Sequence, residues 1–272
     1  MEHAVTLQSR PLAVIILAAG QGTRMKSPLH KVLHPLAGKP MICHLLEMTG
    51  KLGAQKRIVV VGEAKEQVMA AVRNVDFAVQ EQQWGTGHAV MTCREQLAGF
   101  SGDVLVLYGD VPLISCETIH RMKSVHQTAI RGQRPAVTVL GFRPEDGREY
   151  GRLVMSEDGQ LEAIVEYKEA TTAQRRIGLC NSGIMMIRGE LLFRLLDSLD
   201  NQNAKGEYYL TDLVRLAREA GYFSAALETS PLEVTGVNTP AELSRLEELL
   251  RDGQDCVAAD AFRHADEAGP SS

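Results

Sequence analysis

The chain has 272 residues, 29 Lys and Arg against 34 Asp and Glu, and a formal net charge of −5, with 44% hydrophobic and 23% charged residues. This is a globular composition, neither disordered nor coiled-coil, in a chain long enough to bury a core without disulfide or metal staples. The acidic balance argues against nucleic-acid binding, which wants a basic face, yet leaves room for a small phosphorylated ligand held by two or three placed cations.

The first apolar run, Leu12–Ala19, is eight residues long, far short of the ~20 that cross a bilayer, and the basic, Gly-rich loop behind it is unlike a signal-peptide cleavage site. It predicts a strand over Ala13–Leu17. Further strands are expected at Arg57–Val61, Asp76–Val79, Asp103–Tyr108, Ala136–Phe142, Gly151–Met155, Leu161–Glu166 and Ser182–Ile187. Amphipathic periodicity predicts helices over Met41–Leu52, Lys65–Val72, His88–Ala98, Cys116–Gln127, Gly189–Leu199 and Leu210–Ala220. Strands alternating with helices indicate βαβ units, hence an α/β three-layer αβα fold on a mostly parallel, mixed sheet. Between residues 136 and 187 strands follow one another without helices, which suggests an antiparallel insertion over the carboxyl edge of the sheet. Thr239-Pro240-Ala241-Glu242 reads as a capping box opening a last helix. One domain over residues 11–251 and a disordered tail over 252–272 are expected. The cysteines Cys43, Cys93, Cys116, Cys180 and Cys256 form no CxxC pair, so a reducing, cytoplasmic setting is the simplest reading.

The strongest chemical signal is Leu17-Ala18-Ala19-Gly20-Gln21-Gly22-Thr23-Arg24, followed by Lys31. Small residues at the end of a strand let backbone N–H groups approach a nucleotide closely. Arg24 suits bidentate phosphate contact and Lys31 a point charge. The loop is neither GxGxxG, since Met25 stands where the third glycine belongs, nor a Walker pattern. Its glycines alone would also fit an ordinary strand-to-helix turn.

This block resembles the nucleotidyltransferases that make nucleotide-sugars. Residues 17 to 41, LAAGQGTRMKSPLHKVLHPLAGKPM, are similar to the opening signature of the uridyltransferase domains of bacterial N-acetylglucosamine-1-phosphate uridyltransferases. One departure is His30, where that family usually has proline. The resemblance implies a Rossmann-like nucleotide-diphospho-sugar transferase (GT-A-like) fold and transfer of uridylyl from UTP to a sugar-1-phosphate, with N-acetylglucosamine-1-phosphate favoured and Mg²⁺ as cofactor. It implies a nucleotide site at Leu17, Ala18, Ala19, Gly20, Gly22, Thr23, Gln80, Gly85 and Thr86, and catalytic charges on Arg24 and Lys31. Asp110, with Asn238 as its partner, would hold the metal. Tyr108, Gly109, Gly151, Glu166, Asn181 and Asn238 would meet the sugar phosphate. Gly85 and Gly87 are expected to permit close approach of the ligand, and the Gly206–Asp212 block to shape the sugar pocket. Read alone, Asp110 is equally a solvated turn aspartate, Thr86 a helix cap, and Gly151, Glu166 and Asn181 ordinary surface positions; their order and spacing carry the resemblance.

In that family the bacterial protein continues into a hexapeptide-repeat acetyltransferase domain, so acetyl transfer, and the trimer built by that domain, are not expected of this chain. A monomer or weak oligomer and no membrane or nucleic-acid partner are expected, with any acetyl transfer left to a separate protein. His30 and His34 have metal-like i, i+4 spacing but no third ligand, and no zinc site is expected. Another sugar-1-phosphate, a related cytidylyltransferase, or a non-catalytic nucleotide-sugar binding module remain the alternatives.

Overall fold

In a computed structural model of the chain, residues 10–251 are described, apart from 131, 148–149 and 204. The tail expected at 252–272 lies outside these residues. The Leu12–Ala19 run becomes β1 (Leu12–Ala18) and its exit. β1 is flanked in parallel by β4 (Lys56–Val61) and β6 (Asp103–Tyr108). A strand hemmed in on both edges and both faces carries an unbroken apolar run.

Alternate residues of β1 point to opposite cores. Ala13 and Ile15 join one, under α3 (Thr86–Met91), α6 (Gly189–Leu196) and α7 (Leu213–Glu219). Val14 and Ile16 join the other, under α1 (Met41–Lys51), α2 (Lys65–Ala71) and α4 (Cys116–Gln127). Two apolar faces, each roofed by helices, make the three-layer αβα architecture. A two-residue hairpin, β2 (Pro35–Leu36) and β3 (Lys39–Pro40), precedes α1, and the short α5 (Thr172–Arg175) precedes β10.

Among the described residues the main sheet has nine strands, in the order β5-β4-β1-β6-β10-β7-β11-β9-β8. Here β5 is Asp76–Val79, β7 Val137–Phe142, β8 Arg152–Met155, β9 Leu161–Val165, β10 Cys180–Arg188 and β11 Ser224–Glu228. β10 runs antiparallel to both β6 and β7. Residues 136–187 are therefore not simply laid over the sheet edge. β7 is buried along its whole length as an interior strand, and β10 links it to β6; the β8–β9 hairpin alone stands at the far side, with Arg152 pairing back to Cys180.

Two other expectations shift. The helix expected over His88–Ala98 holds α-geometry only to Met91, then tightens into turns in which Cys93, Arg94, Ala98 and Phe100 N–H groups donate to carbonyls three residues back. Its apolar stripe survives, with Cys93 and Leu97 buried. β11 was not expected, because Ser-Ala-Ala-Leu-Glu has little β-branched character. It forms because the edge of β7 offers a parallel partner from Val137 to Gly141.

The base of β6 carries a charged node far down the strand from its carboxyl end. Asp103 is fully buried, accepts from Arg134 Nη1 at 2.8 Å and Gln127 Nε2 at 3.1 Å, and lies 3.7 Å from His126 Nε2. His126 is buried too, with Nδ1 2.9 Å from Thr138 Oγ1. Burial lowers its pKa to about 4, against the pull of Asp103. From about pH 6.5 down to about 4 the unfolded chain binds a proton at this histidine that the folded chain refuses, so folding stability rises with pH across that window. Melting curves should lose stability on the order of a few kcal/mol on acidification through it. His126→Gln is expected to flatten that part of the pH dependence; a variant curve parallel to the parent would assign the acid sensitivity elsewhere.

Candidate active site

Where β1 ends, the chain turns through Ala19–Gly22 into a single 3-10 turn at Thr23–Met25. Gly22 adopts φ 64°, and a Cβ there would run into Cβ of Lys31. This glycine is thus required for two reasons, its left-handed backbone and the seat it leaves for the lysine. Gly20 has open space where a Cβ would be. Lys31 opens a second 3-10 turn, Lys31–Leu33, and its ammonium reaches back to pair with Asp110 Oδ2 and to donate to Asn238 Oδ1 at 3.0 Å. Arg24 Nη2 donates to the same Asn238 oxygen at 3.0 Å. Four residues from distant parts of the chain thus meet at the carboxyl end of the sheet.

Local rules place each of them. Gly109 N–H continues the ladder to Leu17 O at 2.9 Å, and a Cβ on Gly109 would strike Val32, so Asp110 emerges directly beside the β1 loop. The capping box expected at the last helix (residues 240–251) is present. Thr239 Oγ1 accepts Glu242 N–H at 3.2 Å, while Glu242 Oε2 accepts the N–H groups of Thr239 at 3.1 Å and Asn238 at 2.6 Å. With Val237 N–H donating to Asp110 O at 2.9 Å, this cap fixes Asn238 against the aspartate.

A cavity of about 260 Å³ opens beside the cluster, walled by Leu17–Gly20, Lys31, Asp110, Tyr108 and the loop from Gln80 to Thr86. Gln80 is buried, its Nε2 3.0 Å from Gly85 O and 3.1 Å from His88 Nδ1. Gly85, not Thr86, is the N-cap of α3, and the Thr86 hydroxyl accepts Leu210 N–H at 3.1 Å. The glycines of this loop also admit the protein's own chain. A Cβ on Gly85 would lie 2.6 Å from Tyr208 O, and one on Gly87 2.9 Å from it; the chain that comes close is the protein's own Glu207–Tyr208 segment. It is pinned there by Gly87 N–H to Tyr208 O at 2.8 Å and Tyr208 N–H to Trp84 O at 2.7 Å.

One polar wall residue escaped the sequence reading. Gln83 donates to Ala19 O at 2.8 Å, tying the two loops together; its signal was an amide among the many of QEQQW, indistinguishable there from its neighbours. Glu207, in the block expected at the sugar pocket, lines this same cavity. Thr23 sits in the 3-10 turn beside Arg24.

Gly151, Glu166 and Asn181 meet at the neighbouring hairpin. Asn181 N–H donates to Gly151 O at 2.8 Å, and Glu166 Oε1 faces the Cα of Gly151, 3.3 Å from where a Cβ would stand. Asn181 Oδ1 accepts Gly183 N–H at 2.9 Å, and Gly183 leaves room for the Tyr108 ring. Burial raises the Glu166 pKa, opposed by Lys205 and reinforced by Glu169 and Asp212. Burial, then the Asp110 charge, pushes the Tyr108 phenol up. The site is polarised: Arg24 and Lys31 suit phosphate oxygens, whereas the acid-rich hairpin side suits hydroxyl and amide donors.

The donor set fits a magnesium ion held jointly with a ligand. Asp110 carboxylate and Asn238 amide oxygen are hard donors, too few for an all-protein cage but enough where phosphates complete the shell. The Lys31 ammonium, resting on both oxygens, shows that a cation is favoured at that point. Among the described residues no cluster of three His, Cys, Asp or Glu could hold a metal by itself.

A Gly-rich loop at the carboxyl end of a central parallel strand, in a mixed sheet with helices on both faces, defines a Rossmann-like nucleotide-sugar transferase fold. More narrowly, residues 14–179 match the MobA-like NTP transferase domain, and the chain belongs to that family. It is 53% identical over 244 residues to the "Bifunctional protein GlmU" of Rhizorhabdus wittichii, covering 89% of this chain and 53% of that one. To the protein of the same name from Rhodospirillum rubrum it is 52% identical over 239 residues, 88% of this chain and 53% of that one. The chain therefore spans about half the length of these curated relatives. A solved structure of a CMP:2-keto-3-deoxy-manno-octonic acid synthetase superposes with a TM-score of 0.65 at 17% identity, covering 89% of this chain and 99% of the other, a likeness of fold. No helix among the described residues is long and apolar enough to cross a membrane.

Proposed function

We propose that the chain is a uridyltransferase that makes UDP-N-acetylglucosamine and pyrophosphate from UTP and N-acetylglucosamine-1-phosphate. The observation that carries this reading is the meeting of Arg24, Lys31, Asp110 and Asn238 at the mouth of the cavity behind the Leu17–Gly20 loop. The relatives' name and the polarity of the neighbouring hairpin support the choice of sugar. A phosphate oxygen of the sugar phosphate attacks the α-phosphorus of UTP in line, the bond from that phosphorus to the β-bridging oxygen breaks, and pyrophosphate leaves with its electron pair. The nucleophile is already an anion, so no general base is needed, and positioning with charge stabilisation does the work. Lys31 and Arg24 bind and orient the triphosphate and stabilise the charge gathering on the leaving pyrophosphate. Asp110 and Asn238 would hold Mg²⁺, which would supply neutralisation of phosphate charge. Gln80, Gly85 and Thr86 wall the base; Gly151, Glu166 and Asn181 meet the sugar hydroxyls and acetamido group. Such an enzyme is a cytoplasmic supplier of cell-envelope precursors.

Pyrophosphate release from UTP and Mg²⁺, with N-acetylglucosamine-1-phosphate in one reaction and glucose-1-phosphate in another, tests this reading. Fast release with the first is expected. Release with glucose-1-phosphate alone overturns the sugar, and release with neither, while UTP still binds, overturns the transferase reading in favour of a binding module.

A further inference from the structure

The lysine that reaches Asp110 begins a turn held from outside the cavity. Gln67, on α2, aims its side-chain amide at the segment just before that turn. Its Oε1 accepts the His30 N–H at 2.9 Å, and its Nε2 donates to Pro28 O at 3.1 Å. One amide thus grips the backbone on both sides of Leu29, whose own N–H is taken by Ser27 Oγ at 3.1 Å. The His30 ring adds no grip: it is buried, and neither ring nitrogen has a hydrogen-bond partner among the described residues. Burial and the adjacent Lys31 charge both disfavour a proton on it.

The His30 backbone has φ −56° and ψ 137°, inside the narrow φ range that a proline ring imposes. A proline here would fix φ from within and carry no N–H. Histidine leaves φ free to rotate and leaves a backbone donor to satisfy in a sheltered place. The Gln67 amide supplies both the constraint and the acceptor.

We propose that Gln67 is a positioning residue for Lys31, replacing from α2 the rigidity that proline would build into residue 30. The proposal rests on the uridyltransferase reading for its catalytic consequence, though the clamp itself is a matter of geometry. Gln67→Met keeps length and helix propensity and removes both bonds. It is expected to lower kcat about tenfold, within the hundredfold that ångström-scale misplacement can cost. KM for the sugar phosphate should stay within about twofold, as for an interaction felt in the transition state. Amide hydrogen exchange over residues 28–33 should quicken. Adding His30→Pro to Gln67→Met should restore kcat to within about twofold of the parent and slow the exchange again, because proline restricts the free chain and needs no acceptor.

A merely structural Gln67 would lower Tm without rescue by that proline. Unchanged exchange in Gln67→Met, or a loss of kcat that His30→Pro leaves unrepaired, overturns the proposal. Should the parent release no pyrophosphate with any sugar phosphate, the uridyltransferase reading falls, and exchange alone judges the clamp: quickening reversed by His30→Pro supports it, and equal exchange in parent and variant overturns it.

Discussion

Asp110→Ala is expected to reduce pyrophosphate release by about 10² or more, the scale on which removing one preorganised electrostatic contact acts. The loss should come in kcat and in the metal requirement together. Asp110 contributes the carboxylate of the two oxygens on which a cation rests, Asn238 contributing a neutral amide. Without that charge the metal must be held by substrate phosphates and one amide, so saturating Mg²⁺ should recover a little of the rate and never most of it. Asp110→Asn, which keeps the shape and a hard oxygen, should lie between. Turnover in Asp110→Ala close to the parent at limiting Mg²⁺ would remove Asp110 from the metal site. The fold should survive, because the turn is set by Gly109 N–H to Leu17 O and Val237 N–H to Asp110 O, bonds that the side chain does not make.

Much of the scaffold for that arrangement is legible before folding. β1 is an unbroken apolar run because both its faces are covered, and the Thr239–Glu242 box announces the helix that fixes Asn238. The pairing of Asp110 with Asn238 was open only to resemblance, since nothing in the spacing of two residues so far apart tells that a cap on one helix abuts the end of β6. What Gly85 and Gly87 admit within the fold was not legible either, because a glycine records that something comes close, not what comes; inside the chain it is the Tyr208 carbonyl. β11 was illegible because its alanines form a strand through a tertiary partner and not through propensity. The Gln67 clamp was hidden for a similar reason: a half-buried glutamine on a short helix looks like solvent-facing polarity until its two backbone partners are seen.

Lys31→Met carries the second large effect, and its two consequences run in opposite directions. On the proposed function, turnover should fall by about 10², because the ammonium that would stabilise charge on the departing pyrophosphate is gone. Binding of a divalent cation to the nucleotide-free protein should tighten. The Lys31 ammonium rests on Asp110 and Asn238, with its side chain 13% and that of Asp110 20% exposed, so the pair is sheltered and a second cation must displace the first. Two like charges a few ångströms apart repel enough that carboxylate and amide cannot serve both at full strength. If Asp110 and Asn238 hold the metal, Lys31 must leave these two oxygens as the metal enters, which would couple metal uptake to nucleotide binding. Methionine keeps the aliphatic stem packed against Gly22 and removes the charge alone. Titration with Mn²⁺, followed by water-proton relaxation without nucleotide, should show a severalfold lower dissociation constant in Lys31→Met than in the parent. An unchanged or weaker Mn²⁺ affinity would mean that lysine and metal occupy different places, and the exchange of one cation for the other would have to be abandoned.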